Sequence, residues 1–229
     1  MSNYTYSKVT AQNGVVLHSM KGSPVDIRLH SRGKLESPKS ILDSGWLYGI
    51  NGGFFNVSNK QLLSISLKNG SEITAGGSSN ARANRGTLIW DNKAKKFYCK
   101  QITTKTQVEA LVSDKTNYWA QGGVSLALRQ SDSDWKDMIA PNNEYLPGST
   151  SNTQRAAVVY NNTNNIWLIV TDTKCTITEF RTAINENIGS GTLVDGISLD
   201  GSTCAQMYCA EKHVQHPRSV VSVIGFKRP

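Results

Sequence analysis

The sequence predicts an α+β fold: a single domain, 1–229, built on a mixed, twisted β-sheet with a few short packed helices. Three observations predict it. Apolar residues fall in short runs, some alternating with polar residues at period two, as half-buried strands do. Two stretches, Thr104-Lys105-Thr106-Gln107 and Thr176-Ile177-Thr178-Glu179, carry the capping-box pattern of a helix start. The 229 residues are 38% apolar and rich in Gly, Ser, Thr and Asn, which suits strands and turns better than a helical bundle. No linker, repeat or charge block divides the chain, and its length supports a core without disulfides.

In chain order, Val15 to His18 forms a strand after the hairpin signal Asn13-Gly14. Val25 to His30 alternates as a second strand. Ser37-Pro38 places a cap and a first-turn proline at the start of a helix that buries Ile41 and Leu42 and stops at Gly45. Trp46 to Ile50 runs as a strand into Asn51-Gly52-Gly53-Phe54-Phe55. Leu62 to Leu67 is a strand, Lys68-Asn69-Gly70 a turn, and 75–84 a mobile Gly/Ser-rich loop. Gly86 to Trp90 pairs with Lys96 to Cys99 across Asp91-Asn92-Lys93. A short helix follows Thr104, and Tyr118 to Leu126 reads as strand, glycine kink, strand. Residues 129–152 form the longest irregular stretch, of the kind used as lids or binding loops.

Arg155 to Tyr160 and Ile166 to Asp172 make the clearest hairpin, its second strand apolar enough to lie centrally. An amphipathic helix follows Thr176, with Ile177, Phe180, Ile184 and Ile188 near helical spacing. It ends at Gly189. Val194 to Leu199 leads into Asp200-Gly201-Ser202-Thr203, and Ser219 to Phe226 closes the chain as a strand.

The formal charge of +8 favours anionic partners, such as phosphates, teichoic-acid-like polymers or nucleic acid. No stretch alternates aromatic and basic residues as a base-stacking platform does, so no nucleic-acid partner is expected. No run reaches membrane-spanning length and the N-terminus has no apolar signal core, so no membrane partner is expected. Size and the missing signal together suggest a cytoplasmic or phage-associated protein. Cys99, Cys175, Cys204 and Cys209 include no Cys-x-x-Cys pair and no zinc spacing to His. Cys204 and Cys209 are near enough for a disulfide, and two free thiols fit equally well.

Two stretches stand out as candidate sites. In Gly196 to Cys204 an apolar strand ends in the acid Asp200. Gly201 then lets the backbone approach a ligand, and Ser202 and Thr203 offer hydroxyls and N–H groups to an anion. Ordinary turn chemistry explains the same tetrapeptide. In Asn51 to Phe55, Gly52 and Gly53 allow close backbone approach while the Phe residues anchor the loop.

Taken with Arg155, Asp172, Thr176 to Glu179 and Pro217-Arg218-Ser219, these stretches follow the order and spacing of a known pattern over about residues 40–228. The chain resembles the phosphodiester glycosidase family. That family's Asp-Gly-Gly-Gly-Ser-Ser loop stands here as Asp200-Gly201-Ser202-Thr203, with the later glycines replaced. The resemblance implies a hydrolase that cleaves a sugar-1-phosphodiester in a cell-wall, capsular or nucleotide-sugar substrate. A non-catalytic module gripping an anionic glycan, and a phosphodiesterase cleaving at phosphorus, are the rival readings.

Such chemistry needs donors for the phosphate and a carboxylate at the anomeric carbon. Arg155 offers a bidentate fork, and Asn51, Gly52, Gly53, Gly201, Ser202 and Thr203 offer further donors. Glycoside cleavage commonly uses two carboxylates. Asp200 is the first candidate, and Asp172 and Glu179 are candidates for the second. Each has a competing structural role: Glu179 completes a capping box, Asp172 caps a turn, and Arg155 suits an internal ion pair. Ser202 has no neighbouring His and is not read as a nucleophile. No cofactor is expected; a divalent cation at Asp172 or Asp200 is an open alternative.

Overall fold

Hairpin turns set the architecture. The computed structural model describes residues 3–74 and 80–229. Gly14, Asn69 and Gly70 adopt left-handed φ values of 81°, 51° and 76°, the geometry that tight turns between antiparallel strands require. Strands and short helices together give the α+β class. The strands are shared among three sheets, and every described ladder is antiparallel, where one mixed sheet was expected. Short turns suffice for antiparallel pairs, whereas parallel ones need long crossovers.

The six-stranded sheet has the order Tyr4–Thr10, Val16–Gly22, Ile166–Thr171, Ala156–Asn161, Leu193–Ser198, Val124–Ser125. Its two middle strands, Ile166–Thr171 and Ala156–Asn161, are buried along their whole length, which is why they are apolar almost without interruption. Helix Ile177–Asn187 packs Ile177, Phe180 and Ile184 on one face of this sheet, joined by Trp135 of helix Asp132–Met138. The other face meets both remaining sheets: Val158 and Leu168 share a core with Ile50, Ile224, Leu88 and Trp90.

One five-stranded sheet runs His213–Val214, Met207–Tyr208, Leu47–Asn51, Val220–Lys227, Ile27–Glu36. The other runs Ser71–Glu72, Ser66–Lys68, Tyr118–Gly122, Asn80–Asp91, Lys96–Thr104. Helix Pro38–Ser44 is capped by Ser37, whose side chain accepts from Ser40 N–H, and it buries Ile41 and Leu42 as expected. Both capping boxes are formed.

Four local expectations change. Val25 and Asp26 belong to a short 3-10 turn, Pro24–Asp26, and the strand starts at Ile27. Of Leu62 to Leu67 only Ser66 and Leu67 lie in a strand, Ser66–Lys68. Within 75–84, residues 80–84 open the strand Asn80–Asp91, and 75–79 lie outside the described residues. The stretch 129–152 contains helix Asp132–Met138, started by the Ser131 cap. The four cysteines are free.

Candidate functional site

The strand Leu193–Ser198 is paired along Ala156–Asn161, and Leu199 N–H extends the pairing to Ala156 C=O at 2.9 Å. Asp200 is therefore delivered by the sheet to its end. Ser202 N–H then bonds Gln154 C=O at 2.7 Å, and the chain turns through the 3-10 segment Ser202–Cys204. Fully buried Asn51 fixes this loop from the neighbouring sheet. Its amide donates to Asp200 C=O at 2.8 Å and Gly52 C=O at 3.1 Å, and its oxygen accepts from Gln206 N–H at 3.2 Å. Asn51 thus spends its side chain on positioning the loop.

Asp200, Gly201, Ser202 and Thr203 line a cavity of about 680 Å³. That size suits a small ligand. Arg155, Arg85 and Arg218 line it too, and Asp200 is its single carboxylate among the described residues. A smaller cavity of about 320 Å³, bordered by Pro24, Lys68 and Trp119, holds no carboxylate.

The arginines are held differently. Arg155 is buried, and its guanidinium is gripped by main-chain carbonyls: Nε donates to Cys175 at 3.3 Å, and Nη2 to Gly148 at 2.9 Å and Ser151 at 2.5 Å. Among the described residues it is in no ion pair; it fastens the 148–153 loop to the sheet beside Asp200. Arg85 is also buried, with Nε donating to Glu144 C=O at 3.0 Å and Nη2 to Tyr145 C=O at 3.0 Å. Its Nη1 is buried without a hydrogen-bond partner among the described residues. A buried N–H of a charged group left unmade is costly, and the residue that carries it lines the cavity. Arg218 is exposed.

Arg85 was not among the residues singled out from the sequence. A signal existed: Arg85-Gly86-Thr87-Leu88-Ile89-Trp90 repeats the arrangement of Arg155-Ala156-Ala157-Val158-Val159-Tyr160, an Arg immediately ahead of an apolar hairpin strand.

Burial raises the Asp200 carboxyl above its ordinary value, opposed by a hydrogen bond with the Cys204 thiol, by the charges of Arg218 and Arg85, and by Gly201 N–H. Asp200 in turn helps keep Arg85 charged against the lowering effect of burial. The Cys204 thiol is itself raised, first by burial and then by Asp200. Among the described residues no group of three His, Cys, Asp or Glu is arranged to hold a metal ion.

Other expected site residues do not line this cavity. Gly52 and Gly53 face the protein interior: a side chain on Gly52 would meet Ser222 Oγ at 2.3 Å, and one on Gly53 would meet Gly122 C=O at 2.8 Å. Their smallness serves sheet packing, and Phe54 and Phe55 reach the cavity wall instead. Asp172 is turned toward buried His18, 3.3 Å from Nε2, and toward Lys212 Nζ at 3.2 Å. Burial would raise its carboxyl, but Lys212 and His18 hold it below its ordinary value. Glu179 accepts from Thr176 N–H at 2.8 Å and from its hydroxyl at 2.9 Å, so it closes the helix cap on the surface. Asp172 and Glu179 are therefore not partners of Asp200 across the cavity.

Ser202 occupies a left-handed position, φ 56°, where a glycine is free of steric cost. The loop keeps a glycine's conformation without the glycine. Ser202→Gly is expected to keep the fold and raise stability by up to ~1 kcal/mol, read by urea denaturation. A loss of stability would mean that the Ser202 side chain holds the loop.

The phosphodiester glycosidase family model matches residues 44–227. No curated protein matches the sequence. Among solved structures, the auto-inhibited catalytic domain of zebrafish N-acetylglucosamine-1-phosphodiester alpha-N-acetylglucosaminidase is similar at 15% identity and a TM-score of 0.68, covering 100% of this chain and 83% of that one. A hypothetical protein from Synechocystis is similar at 12% identity and a TM-score of 0.69, covering 97% of this chain and 61% of that one. At these identities the structural likeness is one of fold.

Proposed function

The chain belongs to the phosphodiester glycosidase family, and on that premise we propose that it hydrolyses a sugar-1-phosphodiester at the glycosidic C–O bond. The observation that carries this reading is a lone carboxylate, Asp200, in a cavity it shares with Arg85, Arg155 and Arg218. The Arg85 guanidinium in the cavity lining binds a phosphate oxygen, and Arg218 supplies further positive charge. Asp200 acts at the anomeric carbon.

One carboxylate is enough for this bond. A phosphate monoester is a weak base and departs with the bridging oxygen and the bonding electrons, so no general acid is needed to protonate it. Asp200 stabilises the oxocarbenium-like carbon and takes part in the entry of water, which adds its oxygen to the sugar. Candidate substrates are cell-wall or capsular polymers joined through sugar phosphates, and nucleotide sugars.

The test is to incubate the protein with an aryl sugar-1-phosphodiester and with a nucleoside diphosphate sugar in ¹⁸O-labelled water. The proposal expects free sugar carrying the label and an unlabelled phosphate product. Label on phosphorus would mean attack at phosphate and overturn it. Saturable binding with no product would mean that the chain is a binding module.

A further inference from the structure

The cavity has a second wall that phosphate chemistry does not use. Phe54, Leu63 and Leu146 contribute to it, and Val57 and Tyr145 line it while 49% and 47% exposed. Large exposed apolar side chains are few among the described residues; the others are Val25 and Trp46, neither of which lines this cavity.

Tyr145 is presented on a fixed and unusual backbone. Its φ of 52° is left-handed, a conformation that a bulky side chain avoids unless its surroundings impose it. Its neighbours Glu144 and Leu146 are buried. Its N–H bonds Ala140 C=O at 3.1 Å, and its own C=O accepts from Arg85 Nη2 at 3.0 Å. The guanidinium that holds Tyr145 in place thus belongs to a residue that lines the same cavity as Asp200. An exposed aromatic ring on a rigid main chain, tied to a buried cation, is suited to stack on a flat ring beside the anion.

The geometry points to Tyr145 as a specificity residue: its ring stacks on a cyclic group, sugar or arene, that is joined to the bound phosphate. Acyclic phosphates occupy the arginine end alone. This rests on reading the arginine-lined end as the phosphate site.

Three probes test it by calorimetry on the full chain: methyl phosphate, phenyl phosphate and glucose 1-phosphate. The wild type is expected to bind at least one of the two cyclic phosphates about tenfold more tightly than methyl phosphate. Tyr145→Asn removes the ring and suits the left-handed backbone. It is expected to erase that preference and leave methyl phosphate binding unchanged; Tyr145→Phe is expected to keep the preference. Which cyclic probe responds identifies the ring as sugar or arene. Equal binding of all three probes, or a preference that survives in Tyr145→Asn, overturns the stacking role while leaving the phosphate site standing. Failure of every probe to bind the wild type overturns both.

Discussion

Asp200→Asn is expected to lower turnover by roughly 10²–10⁴-fold and to make the protein more stable at neutral pH. The two effects have one cause. Burial raises the Asp200 carboxyl, so the folded state resists its ionisation more than the unfolded chain does. An acid whose folded pKa is raised binds its proton more tightly in the native state. Stability therefore falls as pH climbs from the unfolded value through the folded one, and the deficit persists above it. The Asn amide carries no charge to bury, and its oxygen can still accept from Gly201 N–H. The gain should be visible in thermal melts at pH 7 and vanish below the ordinary carboxylate range, where Asp200 is protonated in both states. Wild-type turnover should decline as pH falls through the same raised pKa, because the reaction uses the ionised form. Full activity in Asp200→Asn would remove Asp200 from the chemistry. Lost activity with lowered stability would assign it to the fold.

That combination was half visible in the sequence. Asp200 could be found because strand, acid and glycine are consecutive, and consecutive residues need no tertiary knowledge to be placed together. The capping boxes at Thr104 and Thr176 were legible for the same reason: each satisfies its own helix end within four residues. Asp172 shows where this runs out. It also ends a strand, yet side chains alternate faces along a strand, and the register decides which one an end residue takes. Thr171 Oγ1 accepts from Arg155 N–H, which leaves Asp172 on the side of His18 and Lys212. Gly52 and Gly53 were legible as positions of close approach, but what approaches is the protein's own backbone and side chains. The phosphodiester glycosidase resemblance supplied the order of the motifs; it could not say that Arg85 lines the cavity, because its partners come from the 139–153 loop, sixty residues on in the chain.

Glu144→Ala is expected to damage the fold severely, costing about 3–5 kcal/mol and weakening ligand binding with it. Glu144 is fully buried in a stretch whose sequence is polar and irregular. Its Oε2 accepts from Gly86 N–H at 2.9 Å and Ser125 N–H at 2.7 Å, and its Oε1 from the Gln101 amide at 2.8 Å. Gly86 and Ser125 belong to strands of different sheets, so this carboxylate clips the loop across their junction. Alanine would leave the two buried main-chain N–H groups facing no acceptor, each worth about 1–3 kcal/mol, while the exposed Gln101 amide keeps Asn143 Oδ1 at 3.4 Å. Glutamine keeps one oxygen for the two N–H groups, and a flipped Gln101 amide can accept from its NH₂, so Glu144→Gln should cost only about 1–2 kcal/mol. The same loop supplies the carbonyls of Glu144 and Tyr145 that seat Arg85. Urea denaturation of both variants, with phosphate affinity measured on whatever remains folded, separates these effects. If alanine and glutamine cost the same, the carboxylate is not the clip. If alanine destabilises the fold but leaves phosphate affinity intact, Arg85 is seated by something other than this loop.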